Sequence, residues 1–205
     1  MRPKEFDIDP ANVSTDGFAS GATGASFTLT ANDSGDGLAH QVSILNNTAT
    51  NHAGKTVTLV GTDSDGNALT EVVTGPGASA TVESSGYFLT LTSATPSATI
   101  GTDTFDIGWV DEVATKTIPL NWRATEGATY SVDVTGTIDY TVQETFVPIQ
   151  DETAPQQTAH WHALSALSAK TADLASQGTD NATGVRLIVN SYTDTAEIQM
   201  TVGQN

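Results

Sequence analysis

The sequence predicts an all-β protein: one or two antiparallel β-sandwich or jelly-roll units that follow an extended N-terminal arm. Threonine, serine and glycine recur along all 205 residues, with 18 glycines and 7 prolines, and long helix-forming runs are nearly absent. Short segments alternate apolar and polar residues, as half-buried strands do. Turn-forming residues separate these segments about every 8 to 12 residues, a spacing typical of sandwiches and jelly rolls.

The clearest alternation runs through residues 130–146. Its odd-numbered positions carry only polar residues, whereas the even-numbered apolar set is Val132, Val134, Ile138, Tyr140, Val142 and Phe146. Because successive side chains of a strand point to opposite faces, the segment predicts one long half-buried strand, or two strands joined at Gly136. The even-numbered face should pack on a core, and the odd-numbered face should meet water or a partner.

Residues 1–25 predict the extended arm. Pro3 and Pro10 interrupt any helix, and closely spaced glycines offer little to bury. The arm nevertheless carries four large apolar side chains, those of Phe6, Ile8, Val13 and Phe18. Two interpretations stay open: a disordered terminus, or an arm that becomes ordered on a neighbouring subunit through these four residues.

Residues 26–112 predict the first β unit, in which runs of alternating apolar residues are separated by polar, glycine-rich loops. Its clearest hairpin spans residues 55–75. Two alternating runs there flank Asp65, Gly66 and Asn67, a turn whose glycine and asparagine accept positive φ.

Residues 113–205 predict a second β unit, which the strand segment 130–146 and a hairpin at 184–202 would build. Between them lies a long irregular or partly helical insertion at about 147–183. Its leucines recur at near-helical intervals, and Gly178 is a suitable helix end. A short helix and an irregular crossover loop therefore remain alternatives.

Four residues, Asp63, Asp65, Asn67 and Glu71, resemble the opening of an oxygen-ligand calcium loop. An EF-hand places glycine sixth and glutamate twelfth, but here, counting from Asp63, glycine comes fourth and Thr74 twelfth. A solvated hairpin turn is therefore the favoured interpretation.

Catalytic residue types occur without a recognisable constellation. There is no cysteine and no Gly-x-Ser-x-Gly nucleophile elbow. The acid pairs Asp111–Glu112 and Asp151–Glu152 suit a glycosidase in principle, but their places at probable unit boundaries favour solvated turns. His40 and His52 are expected at the surface. We predict no enzymatic activity and no cofactor.

His160 and His162 flank Trp161. In an extended chain both imidazoles point the same way, but two histidines do not complete a metal site unless symmetry gathers several copies. We therefore predict partly exposed histidines beside a buried tryptophan, and no metal. Trp109, Trp122 and Trp161 are suited to stacking on sugars, yet core or interface positions are favoured, and Trp161 is a candidate contact residue.

The charge is strongly acidic, with 7 lysines and arginines against 24 aspartates and glutamates, a net charge of −17. Phosphate backbones repel such a polyanion, so we expect no direct nucleic-acid partner. No apolar run approaches the roughly 20 residues of a membrane helix, and the N-terminus lacks the apolar core of a signal peptide. We expect no membrane partner.

Several sequence segments resemble those of small β-rich virion structural proteins of tailed bacteriophages, of the capsid decoration (cement) or tail-associated type. These segments are residues 54–76, 84–109, 130–146 and 184–202. The resemblance implies a structural role, symmetric homo-oligomers and no catalytic residues.

The combined expectation is a capsid decoration protein that is synthesised in the host cytoplasm. It would bind the major capsid protein or other virion proteins on the capsid exterior and stabilise the shell. An acidic protein fits that place, because the outside of a shell does not hold packaged DNA. The alternatives are a tail, neck or fibre component, and a carbohydrate-binding module.

Overall fold

The computed structural model describes residues 3–121, 123, 126–147, 160–193 and 195–204. The predicted all-β class with antiparallel strands is confirmed: the described residues form fifteen strands and one 3-10 helix. Among these residues, no helix is long and apolar enough to cross a membrane.

The chain divides into two compact units. The inserted unit is Val13–Val110, and the terminal unit combines Met1–Asn12 with Asp111–Asn205. The inserted unit ends at residue 110, close to the boundary predicted at residue 112. The predicted arm, residues 1–25, is not a separate element, because its two halves belong to different units.

The inserted unit is built around strands that turn their apolar residues inward. Its strands are β2 Ser14–Ala22, β3 Ala39–Asn46, β4 Thr56–Thr62, β5 Ala68–Thr74, β6 Thr81–Phe88, β7 Thr90–Pro96 and the first part of β8 Phe105–Ala114. β4 lies between β5 and β7 in a three-stranded sheet, while β2 pairs with β8 and β3 with β6. Phe18, Leu59, Phe88, Leu91 and Phe105 are among the residues of its core.

The terminal unit contains two groups of paired strands. Its further elements are β1 Lys4–Ile8, β9 Ile118–Pro119, β10 Thr129–Thr135, β11 Ile138–Thr145, β12 Trp161–Ala163, the 3-10 helix Ser165–Leu167, β13 Leu174–Gln177, β14 Gly184–Tyr192 and β15 Glu197–Gly203. One group has the order β1-β15-β10-β13, and in the other β11 lies between β12 and β14. The end of β8 pairs with β14 through Ala114 and Val113.

The alternating segment 130–146 forms two strands joined at Gly136, the second of the two predicted alternatives. Gly136 has a φ of 82°, a left-handed conformation that glycine adopts without steric cost. β10 pairs with β13 and β15, whereas β11 pairs with β12 and β14. The glycine thus carries the chain from one group of strands to the other.

The predicted faces of this segment hold for β10 and fail toward the end of β11. Tyr130 and Val132 are buried, but Phe146 is 42% exposed, while Thr141 and Thr145 on the predicted polar face are buried. The reason is that the chain itself covers this polar face: the backbone amide of Ala169 donates to Thr141 Oγ1 at 3.0 Å.

The insertion predicted at about 147–183 is neither a regular helix nor wholly irregular. It contains β12, the 3-10 helix and β13, and residues 148–159 lie outside the described residues. Lys170 exchanges two backbone hydrogen bonds of 2.9 Å with Tyr140. This pairing to β11 draws the backbone away from a continuous helix, which needs those groups for its own turns.

Candidate interaction surfaces

The structure places the four apolar arm residues in different environments. Ile8 and Phe18 are buried at 5% and 1% exposure, Phe6 is half-buried, and Val13 is 47% exposed. β1 pairs with β15 of its own chain, and the ring of Phe18 packs edge-on against Trp109 at 5.0 Å.

The prediction that Ile8 and Phe18 bind a neighbouring subunit is therefore corrected, because both side chains are already inside the core of their own chain. Sequence reasoning missed this because the partners of the arm lie far along the sequence. Phe6 and Val13 remain accessible to a partner.

Trp161 lies half-buried at the start of β12. The guanidinium carbon of Arg186 lies 4.3 Å from the centre of its ring, within the range of a cation–π contact. Arg186 is buried and donates from Nε to Gln143 Oε1 at 2.9 Å. Cross-strand pairing of Gln143 with Arg186 brings these two side chains to one face of the sheet. The contact with Arg186 therefore fixes the orientation of the indole ring.

The two histidines beside Trp161 are exposed, and Trp161 is half-buried rather than buried as predicted. The ring of His162 lies 5.8 Å from that of Phe146. No group of three or more metal-ligating side chains is found among the described residues. Trp109 is buried in the inserted unit, while Trp122 and the acid pair Asp151–Glu152 lie outside the described residues.

The predicted hairpin turn at residues 63–67 is present, but its first carboxylate is buried rather than solvated. Asp63 has 0% exposure, and its Oδ1 accepts hydrogen bonds of 2.9 Å from the backbone amides of Asp65 and Asn67. Gly66 has a φ of 85°, as the turn requires. Asp63 therefore acts as the side-chain cap of a tight turn.

His40 and His52 are buried, contrary to the surface positions predicted for them. Nε2 of His40 lies 2.8 Å from Asp36, and its Nδ1 lies 3.3 Å from the carbonyl of Val110. These two partners satisfy both nitrogens of the buried ring.

His52 is held by a lysine and an aspartate. Lys55 Nζ donates to Nδ1 of His52 at 3.0 Å, and Nε2 lies 2.9 Å from Asp103. Because an ammonium group only donates, Nδ1 is the acceptor and Nε2 carries the proton. The ring thus links the loop before β4 to the loop before β8.

Carboxylates line a groove on the terminal unit beside β1, β10 and β15. Its acidic residues are Asp7, Asp9, Asp133 and Glu197. The amide of Gln199 donates to Asp7 at 2.6 Å and to Glu5 at 3.0 Å. Asp133 and Thr135, which belong to the exposed face predicted for residues 130–146, thus border a negatively charged surface.

A second surface, on the inserted unit, is uncharged, and we call it the threonine face. It is the outward side of the three-stranded sheet, and its twelve residues are Thr56, Thr58, Val60, Thr62, Ala68, Thr70, Val72, Thr74, Thr90, Thr92, Ser93 and Thr95. The opposite side of the same strands is mostly apolar and contributes buried residues such as Leu59, Val73 and Leu91 to the core. The chain therefore has one strongly acidic surface and one surface without charged side chains.

No protein-family model and no curated protein matches the sequence. Among solved structures, the chain is similar to the major capsid protein P2 of bacteriophage PM2, with 9% sequence identity, a TM-score of 0.22 and 98% of each chain covered. A similarity of this size carries no argument about fold or function.

Proposed function

We propose that this chain is a structural protein of a bacteriophage virion and acts as a decoration protein that binds the outer capsid surface and stabilises the shell. The observation that carries the proposal is the position, in the fold, of the four sequence segments that resemble phage virion proteins. They fall on strands β4 and β5, on β6 to β8, on β10 and β11, and on β14 and β15. The resemblance thus concerns the strands that build both units rather than a few loops.

Charge supports an exterior place. At a net charge of −17, the protein is repelled by packaged DNA and attracted to cationic protein surfaces. On this proposal the chain is a binding protein rather than an enzyme, and its partners are the shell protein and further copies of itself.

Of the contact residues predicted from sequence, Trp161, Phe6 and Val13 are not fully buried in their own chain. The arm residues were predicted to contact a neighbouring subunit, and here we propose all three residues as contacts with the shell. Leu174, which is 40% exposed on β13, provides a matched apolar control outside this set.

The deciding experiment compares images of virions made with and without this protein, followed by addition of purified protein to the deficient particles. Many copies arranged around the capsomers support a decoration protein, and a few copies on the tail axis support a tail, neck or fibre component. Absence of the protein from purified virions would refute the virion role.

The contact residues are tested by the same addition assay. Replacing both Val13 and Trp161 by alanine should lower the number of bound copies, whereas Leu174→Ala should not. Equal binding by all three proteins would exclude these contacts while leaving the virion role standing. Glycan binding that Trp161→Ala abolishes would favour the carbohydrate-binding alternative.

A further inference from the structure

The threonine face is an exposed, uncharged surface on a polyanion. Its composition is eight threonines, one serine, two valines and one alanine, so none of its twelve side chains ionises. Val72, at its edge, is 60% exposed. The one acidic residue within β5, Glu71, is turned to the other side, where its carboxylate accepts hydrogen bonds from Ser85 and Gly86.

Several hydroxyl groups of this face already have partners within the sheet. Thr62 and Thr90 share a hydrogen bond of 2.7 Å, and Thr92 donates to the carbonyl of Val60 at 2.9 Å. Covering a hydroxyl that keeps its hydrogen bond costs much less than covering an unsatisfied one. Removal of water from Thr62, Thr90 and Thr92 therefore costs less than removal from hydroxyls without a partner.

We propose that the threonine face is a contact surface for a second copy of this chain. A cationic partner gains most from the carboxylate-lined surfaces, such as the groove at Asp7 and Asp133. A second copy carries the same net charge of −17, so it must approach where no carboxylates oppose each other. The threonine face meets that condition.

The size of the face makes this contact weak on its own. Three strands of seven residues, at about 3.3 Å per residue and about 4.8 Å between strands, cover roughly 300 Å². A standard interface buries about 800 Å² per partner. The contact is therefore expected to be short-lived in dilute solution and to gain strength where copies are held close together.

Because the natural chain has no cysteine, single introduced thiols report this contact directly. Two copies that meet face to face about a twofold axis bring the same central residue of each copy together. Thr58 lies on the central strand β4 and is half-buried. Thr81, exposed on β6 of the same unit, provides a control thiol with better access to solvent.

The experiment measures the rate of disulfide-linked dimer formation by Thr58→Cys and by Thr81→Cys at equal concentrations. We expect Thr58→Cys to form dimers several times faster, although its thiol is less exposed. Adding Val72→Asp to Thr58→Cys should remove this excess, because it places two carboxylates in the contact. Thr70→Asp provides a second variant of the same kind, and thermal unfolding confirms that each variant is folded.

Equal rates for the two thiols, or an excess that survives both aspartate substitutions, would overturn the proposal. The test uses the isolated protein, so its outcome is independent of whether the chain belongs to a virion.

Discussion

The hydroxyl of Tyr130 donates a hydrogen bond of 2.6 Å to Oε1 of Glu144, and both side chains are buried. The carboxylate also accepts a hydrogen bond from the backbone amide of Thr179, with both oxygens 3.1 Å from the nitrogen. Glu144 occupies an even-numbered, core-facing position of β11, where only its hydrogen-bonding partners make a carboxylate tolerable. The pair ties β10 and β11 to the loop that follows β13.

Removing the hydroxyl should destabilise the terminal unit. Tyr130→Phe leaves the buried carboxylate without one donor, so we expect the free energy of unfolding to fall by about 1–3 kcal/mol in urea titrations. Glu144→Gln retains an acceptor oxygen and should cost less than Glu144→Ala. Unchanged stability of Tyr130→Phe would show that the hydrogen bond contributes little.

Stability should also fall in alkali because of this tyrosine. Burial, followed by the hydrogen bond to Glu144 and its charge, raises the pKa of Tyr130 well above its ordinary value. The tyrosine of the unfolded chain loses its proton near pH 10, while the folded chain keeps it. The contribution of Tyr130 to the free energy of unfolding is therefore complete below about pH 10 and declines above it. Urea titrations from neutral to alkaline pH should show this decline, and Tyr130→Phe should make it shallower. An identical decline in the variant would exclude Tyr130 as its source.

Glu71 should matter more than its place on an exposed hairpin suggests. Its two carboxylate oxygens accept hydrogen bonds of 2.8 Å from the amides of Ser85 and Gly86 in β6. Glu71→Gln replaces one acceptor by a donor, and we expect a loss of about 1 kcal/mol in the free energy of unfolding. Glu83→Gln, on the exposed side of β6, is the matched control and should be neutral. If both substitutions changed the free energy of unfolding equally, the effect of Glu71→Gln would come from the loss of one negative charge and not from its hydrogen bonds.

The two sides of the chain around Gly136 should respond differently to a carboxylate. Ile138 is 1% exposed, and Ile138→Asp buries an unpaired charge at a cost of about 3 kcal/mol or more. Thr137, the preceding residue, is exposed, so Thr137→Asp should shift the melting temperature little. Similar melting of both variants would contradict the assignment of faces.

The turn at Asp63 should be a structural cap and not a calcium site. Asp63→Ala removes the acceptor of two backbone amides, which should cost about 1–2 kcal/mol. Asp63→Asn keeps an acceptor and should be milder. Millimolar calcium should leave the melting temperature unchanged; a rise that Asp63→Ala abolishes would show a metal site.

Local alternation was sufficient to predict strands such as β4, β5, β10 and β11, because the twofold repeat of side chains requires no knowledge of distant residues. It did not predict β1 and β2, which lie in the segment expected to be an extended arm. It correctly indicated the buried positions Val132, Ile138 and Val142. It failed for Thr141 and Phe146, whose burial depends on which later segment covers each face. That information lies in the pairing of Lys170 with Tyr140, which no local pattern contains.

The buried polar groups were beyond prediction for a related reason. His52 is acceptable in a core only because Asp103 is nearby in space, and their separation in sequence hides the pair. Glu144 could be recognised in the sequence, because it is a charged residue among the mostly apolar even-numbered positions of segment 130–146. Such an exception to a clear alternation is a useful indication of a buried hydrogen-bonding pair.

The pairing of β1 with β15 sets an order of events during synthesis. Lys4 lies opposite Val202, so the first strand leaves the ribosome long before its partner exists. At about 5–20 residues per second, the delay is roughly 10–40 seconds. Every strand of the inserted unit is made within that interval, so this unit can fold while β1 still lacks its neighbour. The terminal unit can be completed only after β15 is translated. Until then, the nascent chain has a folded inserted unit and a strand β1 without its hydrogen-bonding partner.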